Sequence, residues 1–165
     1  TMHEGGIRVP FIVSWHEGLP RKKLYKHRVS ALDIVPTCLE AARIKASGSL
    51  SLDGNSILGP VSKNEAALKS AEPLFFKFSD QWAVIDKGWK LVLAKDYNPK
   101  NRPITSQIRL GANSGKIALY NLDEDVGERH NLIDQEPEKV RELQQKFDEW
   151  LARMKSDHEN YEFGT

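Results

Sequence analysis

Side chains able to do chemistry fall in a few short runs of this chain. His3 and Glu4, a titratable pair, stand directly before Gly5-Gly6, with Arg8 close behind. Arg21-Lys22-Lys23-Leu24-Tyr25-Lys26-His27-Arg28 is a cationic run that could attract an anionic ligand. A solvated basic loop is the other reading, and the charge pattern leaves both open. Lys95 to Lys116 is a long stretch rich in Asn, Pro, Arg and Gly, and its Arg102 and Arg109 are candidate anion contacts. Connections beyond ~15 residues tend to be functional or disordered. Asp123-Glu124-Asp125 suggests cation binding, yet it lacks the alternating oxygen ligands and terminal bidentate Glu of a calcium loop, and reads as an acidic turn. Zinc-ligand spacing, a phosphate-cradling glycine loop and a Ser-His-Asp signature are absent. Cys38 stands alone, so no internal disulfide can form.

Hydrophobic patterning indicates what must position these groups. Apolar residues make up 39% of the 165, enough for a core and too many for a disordered tail. The formal net charge of +1 argues against a broad nucleic-acid-binding surface. No apolar run approaches the ~18 residues of a membrane helix, so no membrane partner is expected. Val9 to Trp15 reads as a short buried strand fed by the Gly-Gly loop. Ser30 and Asp33 form a capping pair for a helix with Leu32, Val35, Leu39 and Ala42 at helical spacing, and Pro36 is expected to kink it. Lys45 to Ser49 is a polar link.

Beyond that link, Leu74–Phe78, Trp82–Asp86, Trp89–Ala94 and Ile117–Leu122 read as strands, the middle two joined by a Lys87-Gly88 hairpin. Pro137 opens a long helix with Val140, Leu143, Phe147, Trp150, Leu151 and Met154 on one stripe. If that stripe is core, Trp150→Ala should cost ~3–5 kcal/mol. The fold class is α+β: a small four-stranded antiparallel sheet packed by a long C-terminal helix, preceded by a strand and a helix.

Glu4-Gly5-Gly6-Ile7-Arg8-Val9-Pro10-Phe11 resembles the E-G-G-x-R-V-P segment of the sulfatases, in the alkaline-phosphatase-like superfamily. Further landmarks follow in that family's order. Ser30 to Thr37 resembles its D-I-x-P-T helix, and Leu52-Asp53-Gly54-Asn55-Ser56 its L-D-G-x-S turn. Trp82 to Leu91 resembles its paired strands around G-x-W-K-L. Leu119-Tyr120-Asn121-Leu122-Asp123 and Glu128-Arg129-His130-Asn131-Leu132 resemble its L-Y-D-L and E-x-x-N-L close.

The resemblance implies a C-terminal fragment: residues 1–46 as the last strand and helix of a larger N-terminal α/β domain, and residues 50–165 as a C-terminal α+β subdomain that closes the cleft and helps select substrate. It implies a sulfate-ester substrate, formylglycine and calcium in the full-length parent, and a periplasmic or extracellular location. The C-x-P-S-R or S-x-P-x-R nucleophile segment does not occur in the chain. The family's catalytic lysine would fall two positions before Thr1. The isolated chain is therefore expected to hold no catalytic residue, metal site or cofactor and to be inactive. By the same resemblance His3 lies near the substrate, Arg102 and Arg109 stand at the cleft mouth, and Glu4 and Arg8 support the active-site loop; an exposed, idle His3 is the alternative. An orphaned strand and helix near the N-terminus would invite homo-oligomers. Three readings stay open: part of a sulfatase, part of a phosphodiesterase or phosphonate hydrolase of the same superfamily, or a stand-alone binding module derived from one.

Overall fold

The computed structural model describes residues 1–25, 27–45, 52–63, 73–94 and 117–160. Its contacts group the chain into two units, residues 1–9 with 73–165 and residues 10–72.

The first unit is built on a four-stranded antiparallel meander, β1 (Leu74–Phe78), β2 (Gln81–Asp86), β3 (Trp89–Leu93) and β4 (Ile117–Asn121), paired in that order. The expected strands stand within a residue of their predicted bounds. Lys87 and Gly88 take φ of +46° and +85° between the paired Asp86 and Trp89. Two successive positive φ values match the twist of a tight hairpin.

Both faces of the sheet are covered, which is why β2 and β3 read as nearly continuous apolar runs. Trp82, Val84, Leu91 and Leu119 face α4 (Pro137–Asn160) and pack on Leu143 and Phe147. Phe147 stacks on Trp82 with ring centroids 4.3 Å apart, and Trp150 stacks on Phe75 at 5.1 Å. Trp150 is only half-buried. Trp150→Ala should therefore cost less than the ~3–5 kcal/mol of a fully buried aromatic. Lys146 of α4 reaches the buried Asp86 at 2.5 Å. The other face carries Ala83, Ile85, Val92, Ala118 and Tyr120, and Met2 and Ile7 pack against it.

The edge of β4 is occupied. Leu132 N donates to Leu119 O, and Asn131 Oδ1 accepts from Leu119 N and Ile133 N. The Asn side chain thus extends the ladder that β4 would otherwise leave open.

The Gly-Gly segment is not a plain loop: Glu4–Ile7 forms one helical turn, α1. The expected strand from Val9 to Trp15 is absent. The segment has no ladder partner among the described residues, Pro10 has no N–H to give one, and its side chains are exposed, Val9 at 70% and Ile12 at 90%. A strand exists only through the hydrogen bonds of its neighbour.

In the second unit Ser30 and Asp33 form the expected capping box: Ser30 Oγ accepts from Leu32 N and Asp33 Oδ2 from Ser30 N. A 3₁₀ turn, Ala31–Asp33, leads into α2 (Ile34–Ala41). Pro36 falls in the first turn of α2, where a missing N–H costs least. Leu32, Ile34 and Val35 are exposed. Asp33 Oδ1 also accepts from Asn55 N at 2.8 Å. Thr37 Oγ1 donates to Asp33 O and accepts from Ile57 N, just ahead of α3 (Leu58–Lys63).

Gly54 passes so close that a Cβ there would lie 2.1 Å from Leu32 O. Gly54→Ala is expected to destabilise this unit by ~1–3 kcal/mol, because backbone must give way. Amide exchange in α2 faster than wild type would show it; unchanged exchange would contradict it.

Candidate functional site

The first unit buries a charge cluster on the sheet face opposite α4. Lys90 lies two residues from Val92 on β3 and shares its face, so it points away from the helix, and it is 0% exposed. Its Nζ stands 2.9 Å from Glu4 Oε1 and 2.7 Å from Glu128 Oε1. The second contact is an ion pair. Glu128, 2% exposed, is the hub. Its Oε2 accepts from the Glu4 backbone N–H at 2.8 Å and lies 3.1 Å from His3 Nδ1. His3 sits edge-on to the Tyr120 ring at 6.4 Å.

The sequence delivers these groups from three places. Lys90 comes from the rigid centre of β3, while Glu4 opens α1. Glu128 comes from a turn after β4 where its own φ is +53°, a conformation few non-glycine residues adopt. Asp125 holds that turn, with Oδ2 accepting from Arg129 N and His130 N. Burial works against the Asp125 charge, but these two amides and His130 outweigh it and hold its carboxyl below the usual range. The acidic run is thus a turn with its own internal ligands. Among the described residues no group of three or more His, Cys, Asp or Glu side chains is placed to hold a metal ion.

Burial likewise opposes the Glu128 charge, yet His3, Lys90 and the Glu4 amide together hold its carboxyl below the ordinary 4.5. A depressed carboxyl stabilises the fold above its unfolded pKa, and that contribution is lost as pH falls through the folded value. Tyr120 goes the other way. Burial first, then the Glu128 and Asp125 charges, push its hydroxyl up to about 12. Its contribution is complete below pH 10 and is lost as pH rises from there towards 12. The loss should amount to about 3 kcal/mol at most. Denaturant midpoints measured from pH 9 to 12 should show this limb, and Tyr120→Phe should flatten it; an equally steep limb in the variant would contradict the assignment.

Of the residues singled out in the sequence, His3 and Glu4 meet in this cluster. Arg8 is exposed at the end of α1, its N–H bonded to Glu4 O. Arg102 and Arg109, with the whole 95–116 stretch, lie outside the described residues. The basic run is partly engaged: Lys23 Nζ donates to Val61 O at 2.6 Å. Sequence reasoning missed Lys90 and Glu128 as site residues. A lysine inside Trp89-Lys90-Leu91-Val92 reads as a solvent-facing alternation, and only the second covered face of the sheet makes it a buried charge.

A family model described as "N-sulphoglucosamine sulphohydrolase, C-terminal" matches residues 1–157. The chain belongs to that family. Its segments that resemble sulfatase motifs meet in the fold: Glu4 of E-G-G, Lys90 of W-K-L and Glu128 of E-x-x-N-L form the cluster, Asp33 holds Asn55 of the Leu52–Ser56 turn, and Thr37 holds Ile57 just after it.

The chain is 25% identical over 154 residues to the steryl-sulfatase of Mus musculus, covering 85% of the chain and 24% of that protein. A crystal structure of Ps i-CgsB in complex with k-i-k-neocarrahexaose superposes with a TM-score of 0.60 at 23% identity, over 82% of this chain and 27% of that one. A 2-O GAG sulfatase structure matches with a TM-score of 0.50 at 19% identity, over 79% and 26%. Such likenesses speak for the fold alone. The chain spans about a quarter of the length of these relatives.

Proposed function

We propose that the chain is the C-terminal region of a sulfatase, a sulfuric ester hydrolase, in which it closes one side of the active-site cleft and helps select the alcohol portion of the substrate. The observation that carries this reading is the union of a family match over residues 1–157 with a buried cluster that binds the Glu4-Gly5-Gly6 turn to the C-terminal sheet. In the parent, formylglycine would supply the nucleophile and calcium the charge that holds the sulfate, both from outside these 165 residues. A lysine two positions ahead of Thr1 would complete the set. His3 would stand beside the sulfate, and Arg102 and Arg109 at the mouth of the cleft. The coding sequence upstream of Thr1 tests this: a lysine at that position and a C-x-P-S-R or S-x-P-x-R segment further upstream support it, and unrelated sequence there overturns it.

Two outcomes follow for the chain by itself. It should release no sulfate from a sulfate ester, because hydrolysis needs an activated nucleophile and stabilisation of charge on the sulfuryl oxygens. Turnover by the pure chain, with contaminating enzyme excluded, would contradict this. It should also self-associate through exposed Val9, Ile12, Leu32 and Val35, which a stand-alone module would keep covered. Sedimentation as a well-behaved monomer would favour the stand-alone reading instead.

A further inference from the structure

We propose that Lys90 and Glu128 are positioning residues for the parent's reaction: together they fix the Thr1–Arg8 segment on the sheet, and through it the lysine proposed just ahead of Thr1. The inference rests on the sulfatase reading above. A four-residue helix such as α1 cannot hold its own shape in water. Here its first residue is held twice, by its side chain to Lys90 and by its backbone N–H to Glu128, and the residue before it is held by its ring to the same Glu128 oxygen. Ties to side chain, backbone and ring together fix both the place and the rotation of the turn. The supports are themselves rigid. Lys90 comes from the third strand of a paired sheet, and Glu128 from a turn locked by Asp125.

Stability alone gives no reason for this arrangement. Buried ion pairs seldom outperform well-packed apolar residues, because desolvation consumes the Coulombic gain. The left-handed φ of Glu128 adds a further conformational cost, and strain of this kind gathers where geometry matters. Orientation is what the cluster provides, and the atoms it orients are those of the E-G-G turn and the residues flanking it. Misplacing a reacting group by about an ångström costs on the order of 100-fold in rate.

The test uses the full-length protein. Glu128→Gln and Lys90→Met are compared with wild type for sulfate release from 4-nitrophenyl sulfate, with rates normalised to folded protein. Expected is a fall in kcat of about 100-fold with KM little changed, since the segment's placement is altered and the rest of the cleft is intact. A triple variant, Glu4→Gln with Lys90→Met and Glu128→Gln, removes the buried charges; it should recover melting temperature without recovering kcat. A kcat per folded molecule within about twofold of wild type in Glu128→Gln would overturn the proposal, and that variant carries the test if Lys90→Met does not fold.

Amide exchange separates this failure from failure of the sulfatase reading. If wild type releases no sulfate, the sulfatase reading falls, and positioning is then judged at the Glu4 amide. Faster exchange there in Glu128→Gln, with Val84 and Leu91 unchanged, supports the tie. An unchanged Glu4 amide overturns it.

Discussion

Lys90→Ala is expected to destabilise the sheet unit by ~3–5 kcal/mol, the cost of removing one partner from a buried pair. The substitution leaves Glu4 and Glu128 facing each other across the space that Nζ occupied. Glu128 keeps the Glu4 amide and His3 but loses the full positive charge that helps to hold it ionised. Urea unfolding followed by tryptophan fluorescence measures the change, since Trp82, Trp89 and Trp150 all belong to this unit. The loss should shrink when Glu4 and Glu128 are also changed to Gln, because the unpaired charges then disappear. A loss below ~1 kcal/mol, the range of exposed ion pairs, would show that water reaches the cluster.

Phe147→Ala is expected to cost about as much, ~3–5 kcal/mol, for a different reason. Phe147 is nearly fully buried between Trp82 and Trp150, with ring centroids 4.3 and 5.7 Å away, and beside Leu143. Truncation removes its apolar area from the core and leaves a gap that two flat indoles cannot close by rotamer changes. The stacking contribution, on the order of 0.5–1.5 kcal/mol, is lost as well. The effect should appear as a lower urea midpoint with an unchanged slope, since the surface exposed on unfolding stays nearly the same. A midpoint shift no larger than that of Trp150→Ala would mean that α4 does not seat on the sheet at this point.

Much of the first unit was legible in the sequence. The strands announced themselves by apolar runs, the hairpin by Lys87-Gly88, and α4 by Pro137 and its apolar stripe, because each of these signals is local. The capping box at Ser30 was legible for the same reason. Non-local facts were not. Val9 to Trp15 has the composition of a strand, but pairing decides strands, and no partner stands among the described residues. Lys90 looks like a solvent-facing position until residues 1–9 are seen covering that face. Glu128 sits in a polar run and gives no sign that its carboxylate travels to Glu4, 124 positions away. Motif order pointed to the family; only the three-dimensional contacts showed that three of its segments converge on one buried cluster.

The most direct measurement is sulfate release by the full-length protein from a sulfate ester, run beside the 165-residue chain and beside a phosphodiester control. Sulfate release by the full-length protein alone, with the chain inactive, is the result expected of a sulfatase C-terminal region. Release by neither, or turnover of the phosphodiester in its place, would contradict it.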